Sequence, residues 1–96
     1  MAIELKLGDK IRNVIYDEKR KISKVGTLDF LGEVIDSPSP YKVSVRWETE
    51  PVKTMTCPRL EMNNFRCMYG DFIYKISENH WLDKYGNEYD DNLEEK

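Results

Sequence analysis

The sequence predicts a mostly β fold, one small barrel followed by a C-terminal β-hairpin extension. Three observations predict it. Residues 41–47 alternate strictly, with Tyr41, Val43, Val45 and Trp47 apolar and Lys42, Ser44 and Arg46 polar, the period of a half-buried strand. No stretch sustains the 3.6-residue period of an amphipathic helix. Proline and glycine fall between the apolar runs, where a β-rich chain turns.

The elements follow in chain order. A turn at Gly8-Asp9 leads into a first strand from Lys10 to Tyr16. Lys24 to Asp36 reads as a long bent strand, with Leu28, Phe30 and Val34 on one face and Gly32 in the remaining place of that face. A glycine inside a strand commonly marks a bulge or sharp bend. The two prolines of residues 36–40 make a loop, since they fix φ and remove N–H donors. After the alternating strand, Glu48-Thr49-Glu50-Pro51 turns the chain into Val52–Cys57, the second arm of a hairpin. Pro58-Arg59-Leu60 reads as a short helical turn with proline at its permissive first position.

Beyond Phe65 the composition changes, and seven of the eleven aromatic residues fall between Phe65 and Tyr89. Phe72–Ile76 is a strand that turns at Ser77-Glu78-Asn79. Trp81-Leu82 and Glu88-Tyr89 then flank a glycine-containing turn, residues 83–87. The tail from Asp90 to Lys96 is expected to be frayed or weakly helical. The division is a barrel over residues 1–65 and an aromatic-rich extension with an acidic tail over 66–96, packed together as one domain.

These segments carry a resemblance. Gly8-Asp9-Lys10-Ile11-Arg12, Gly26-Thr27-Leu28, Gly32-Glu33-Val34, Tyr41 to Glu48 and Pro58-Arg59-Leu60-Glu61 together resemble the small SH3-like barrels of the Tudor and KOW group. The resemblance covers residues 7–65. It departs at Thr49-Glu50-Pro51, where those barrels usually place a glycine turn, and the aromatic extension lies outside the pattern. It implies a barrel that binds, and such barrels host many unrelated roles. In size, acidity and free-standing character the chain also looks like small phage accessory proteins.

Composition narrows the function classes. The net charge of −3 and mean hydropathy of −0.70 are those of an ordinary globular domain, neither a strongly basic nucleic-acid binder nor an acidic mimic of DNA. The charge is unevenly spread: residues 1–48 hold nine Lys/Arg and eight Asp/Glu, residues 49–96 six and ten. No apolar run approaches the roughly 18 residues a membrane helix needs. The start at Met1-Ala2-Ile3-Glu4 lacks the basic opening of a signal peptide. Two cysteines are too few for a disulfide framework, and a cytoplasmic protein with reduced thiols is expected.

Two binding surfaces stand out. The first is basic: Lys19-Arg20-Lys21, with Arg12 and Lys24, could neutralise phosphates of a nucleic acid, directly or within a transcription or replication complex. Asp17 and Glu18 dilute it. The second is aromatic: Trp81, Tyr85 and Tyr89, beside the acidic tail, could anchor a protein partner, with Trp81 and Tyr85 the exposed rings. A cage of rings from Tyr16, Phe30, Tyr41 and Trp47 is weighed and set aside. Phe30, Tyr41 and Trp47 lie on the apolar faces that a small barrel needs for its core.

Chemistry is not expected. Cys57, Cys67 and His80 lack the spacing of a zinc site and read as two buried thiols and a surface histidine. One histidine, isolated glycines and carboxylates in the tail offer no triad, phosphate loop or held acid pair. The expectation is a non-enzymatic binding module without cofactor, metal, membrane or small-molecule substrate. Its partner would be a nucleic acid or an associated protein, or else a specific protein target that the chain inhibits or adapts.

Overall fold

The computed structural model describes residues 5–23 and 30–96. Among them are eight strands and one short helix: β1 (Lys10–Val14), β2 (Leu31–Ser39), β3 (Lys42–Trp47), β4 (Lys53–Pro58), α1 (Arg59–Asn63), β5 (Arg66–Cys67), β6 (Gly70–Ser77), β7 (His80–Leu82) and β8 (Glu88–Tyr89). All strands join one open antiparallel sheet in the order β4-β3-β2-β1-β6-β7-β8, with β5 paired to β6. Leu28 and the rest of the segment 24–29, which includes Lys24, lie outside the described residues.

The alternation of β3 is seen in its burial. Val43, Val45 and Trp47 are fully buried, while Lys42 and Arg46 face solvent. Ser44 is also buried, and its hydroxyl meets that of Thr56, directly across on β4, at 2.9 Å. Tyr41 departs from the expected core: it stands in the turn before β3 begins, where strand alternation no longer sets its direction, and is 79% exposed.

Gly32 has a different role from the bend expected there. It pairs regularly with Ile11 and Trp47, whereas the register shifts of β2 lie beyond it, between Val34 and Asp36 and between Asp36 and Ser39. A Cβ at Gly32 would lie 2.9 Å from the Trp47 ring and from Val45 Cγ1. The missing side chain is the space the indole occupies.

The core has two parts on opposite faces of the central strands. Successive side chains of a strand point to opposite faces, so Phe72 joins Ile11, Val34, Trp47, Met62 and Phe65 in one cluster. Its neighbour Ile73 joins Val14, Trp81 and Tyr89 in the other, against which Tyr16, Ile22 and Leu93 pack. The C-terminal segment thus covers a second face of the sheet. β6 pairs with β1 over Ile11–Val14, so the segment after residue 65 continues the same sheet.

The tail is ordered, contrary to expectation. The Asp90 carboxylate accepts the Asn92 and Glu94 N–H groups, at 2.9 and 3.0 Å. Leu93 adopts a left-handed φ of 63° and packs on the second cluster. Glu95 bridges Tyr89, and Lys96 N–H bonds Glu88 O at 3.0 Å. A local acidic cap and one apolar anchor hold a segment whose composition alone suggests a loose end. Among the described residues no helix is long and apolar enough to cross a membrane.

Candidate binding surfaces

The basic residues sit on a tight turn. Tyr16 and Ile22 bridge its base, and Asp17 Oδ1 accepts the N–H groups of Lys19 and Lys21 at 2.8 and 3.0 Å. Arg20 takes a left-handed φ of 61° at the tip. Lys19, Arg20 and Lys21 are exposed, but two of them turn to the C-terminal segment. The Arg20 guanidinium lies 5.5 Å from the centre of the Tyr85 ring, and Lys21 Nζ lies 3.3 Å from Glu95 Oε1. Arg12, on β1, donates to Asp91 O at 2.9 Å. The two surfaces read separately in the sequence are therefore neighbours that satisfy one another.

The aromatic surface is mostly interior. Trp81 and Tyr89 are 3% and 2% exposed, which corrects the expectation that Trp81 is an exposed anchor. Trp81 Nε1 donates to Asp91 Oδ1 at 2.7 Å, and the Tyr89 hydroxyl donates to Asp83 Oδ2 at 2.9 Å. Both rings are drawn inward because β7 and β8 must bury a face against Val14 and Ile73. Only Tyr85 of the three presents a substantial open surface. It meets Tyr16 edge-on at 5.2 Å, and Lys84 Nζ lies near the faces of both rings while donating to Asp71 Oδ1 at 2.8 Å. That bond raises the Lys84 pKa above its ordinary value.

At the centre of this arrangement is Asp83, fully buried, which the sequence offers only as a turn residue. Its carboxylate accepts the N–H groups of Tyr85 and Asn87, the Asn87 amide and the Tyr89 hydroxyl. Burial, reinforced by the Asp83 charge, pushes both the Tyr16 and the Tyr89 hydroxyls well above the ordinary tyrosine pKa.

The four rings weighed as a cage do not converge. Phe30 and Trp47 pack edge-on against Tyr69 at 5.1 and 5.2 Å, Tyr16 belongs to the other cluster, and Tyr41 is elsewhere on the surface. Cys57 and Cys67 lie in the first cluster; burial raises both thiol pKa values, that of Cys67 to about 11. His80 Nε2 pairs with Glu88 Oε1 at 2.8 Å on the β7–β8 hairpin.

Besides a depression at the seam beside Lys21 and Glu95, two others stand out among the described residues. One, of about 300 Å³, is rimmed by three cations, Lys10, Arg12 and Lys75, and three carboxylates, Glu33, Glu48 and Asp91. Its charges are largely spent internally: Lys10 and Arg46 pair with Glu33, and Lys75 lies 5.7 Å from the Trp81 ring centre. The Lys10 ammonium holds the Glu33 carboxyl below the usual glutamate range.

The other, of about 410 Å³, is apolar and lies where the β2–β3 turn meets α1. Pro40, Tyr41, Pro58 and Leu60 line it, with Tyr41 79% and Leu60 71% exposed. Arg59 also lines it and ties the β2–β3 turn to the helical turn. The Arg59 N–H bonds Tyr41 O at 2.8 Å, and its guanidinium donates to Pro40 O, Leu5 O and Ser37 Oγ at 3.1, 3.3 and 2.6 Å. Sequence reading missed this surface. The available signal was two prolines and two large apolar residues at both ends of the 41–58 hairpin, which the register brings together by pairing Lys42 with Pro58. Comparison with family models, with curated proteins and with solved structures finds no match.

Proposed function

We propose that the chain is a non-enzymatic, protein-binding module whose docking face is the depression formed by Pro40, Tyr41, Pro58 and Leu60. One observation carries this reading: among the described residues the two most exposed large apolar side chains, Tyr41 and Leu60, flank one depression. Isolated exposed apolar residues are ordinary, but a contiguous set with a shaped floor marks a contact surface. Two prolines line it and the three-bond Arg59 clamp ties the β2–β3 turn to the helical turn, so little ordering entropy opposes docking.

The SH3-like reading of the fold belongs with this proposal. A β1–β4 meander, a short helical turn and a return strand that pairs with β1 support it. On that view β6 is the last strand of the barrel-like unit, and the added element begins at β7. The cytoplasm is the compartment that two free thiols favour.

The test is capture from lysate, with nuclease treatment, using wild type and a Tyr41→Ala/Leu60→Glu double variant. The variant is expected to keep its thermal midpoint and lose the nuclease-resistant partner, since an anchor of this kind contributes about 2 kcal/mol or more. Retained capture overturns the reading.

A second reading, nucleic-acid association through the basic turn, is favoured by the exposure of Lys19, Arg20 and Lys21 on one tight loop. It predicts a band shift that weakens with salt and with alanine at those three positions. A salt-insensitive shift, or none, removes it.

A further inference from the structure

We infer that the Tyr41–Leu60 depression takes an extended acidic peptide, one in which an aspartate or glutamate stands within two residues of a large aliphatic or aromatic side chain. The inference rests on the docking face proposed above and adds the chemistry of what docks there. Arg59 carries it. All three partners of its guanidinium are neutral: two main-chain carbonyls and one hydroxyl. Among the described residues no carboxylate forms an ion pair with it.

The contrast with the other depression is direct. There each acidic or basic group has an opposite charge on the same rim, and Lys10, Arg46 and Glu33 form an internal network. At Arg59 a fixed positive charge lines an apolar hollow without such a partner. A guanidinium has five N–H donors, and three bonds leave donors for an incoming carboxylate. The side chain is already immobilised, so a charge-assisted bond to it forms with little further loss of freedom. Lys42, exposed and paired across the strands with Pro58, adds a second positive charge at the same end of the hairpin. The apolar walls then accept one large side chain beside the carboxylate.

The experiment is selection of short random peptides displayed on phage, with the full chain as bait. A synthetic peptide of the enriched sequence is then titrated by fluorescence anisotropy. The expected result is enrichment of Asp or Glu within two positions of Leu, Ile, Phe or a similar residue. Replacing that acid by its amide should weaken binding about tenfold, the scale of one charge-assisted bond. Leu60→Glu, which adds a competing carboxylate at an exposed position, should abolish it. Arg59→Lys should weaken the acidic peptide by a larger factor than it weakens the amide form. The peptide-acid and Leu60 arms keep the result decidable if Arg59→Lys fails to fold.

Peptides without an acid preference that still depend on Tyr41 and Leu60 overturn the assignment to Arg59 and leave the docking face standing. No enrichment, or binding indifferent to Tyr41→Ala and Leu60→Glu, overturns both. Self-association in sedimentation that Leu60→Glu removes identifies a second copy as occupant and overturns the peptide assignment.

Discussion

Gly32, Asp83 and the two cysteines show how much a single residue decides here. Replacing Gly32 by alanine drives a methyl group against the Trp47 ring and Val45. Overpacking of this kind costs about 1–3 kcal/mol, to be read as a lower denaturation midpoint at unchanged slope. Asp83→Ala leaves a tyrosine hydroxyl and two main-chain N–H groups without their shared acceptor. A loss of about 3 kcal/mol is expected, with the β7–β8 hairpin losing its amide protection first. The thiols of Cys57 and Cys67 are buried with raised pKa values, so an aromatic disulfide reagent at neutral pH should react with them at the rate of unfolding. Fast labelling of the native protein would contradict their placement in the core. The special place of Gly32 on the strand face was legible in the sequence, but its reason, a facing indole, comes from register. Asp83 was legible as a turn residue and no more, because its four partners are set by how the hairpin closes.

At the scale of elements, the alternation of residues 41–47 and the turn signals were enough to place β3, β4, β6, β7 and β8. They did not say which faces are covered. Phe72 and Ile73 are adjacent and both buried, because β6 lies between two clusters. Ile73 is the one apolar residue on a face it shares with Asp71, Lys75 and Ser77, so the alternation reads as one-sided and hides the second cluster. The inward turn of Trp81 and Tyr89 follows from the same second cluster, which is why rings that suggest an interface serve as core. This element has an alkaline limit. Tyr16, Tyr89 and Lys84 all have raised pKa values in the folded chain. The folded state then binds more protons than the unfolded one above pH 10, the ordinary tyrosine value, and stability falls as pH rises from there. Their contribution is complete below that pH. Ultraviolet titration should show Tyr16 and Tyr89 ionising only together with loss of the β7–β8 hairpin, and a free titration of both in a folded chain would contradict the packing.

For the whole molecule, the charge asymmetry of the sequence has a structural outcome. The acidic C-terminal segment folds back against basic residues of the N-terminal half: Lys21 meets Glu95, Arg12 meets Asp91, and Arg20 meets Tyr85. Two surfaces that composition presents as separate meet along one solvent-exposed seam. The proposed docking face at Tyr41 and Leu60 lies at the end of the β3–β4 hairpin away from its turn, signalled in the sequence only by the prolines and apolar residues at 40–41 and 58–60. Docking at this face is tested most directly by hydrogen–deuterium exchange of the chain alone and in complex with its captured partner. New protection is expected over residues 40–42 and 58–63, with the β7–β8 hairpin unchanged. Protection confined to residues 17–21 or 83–89 would contradict it.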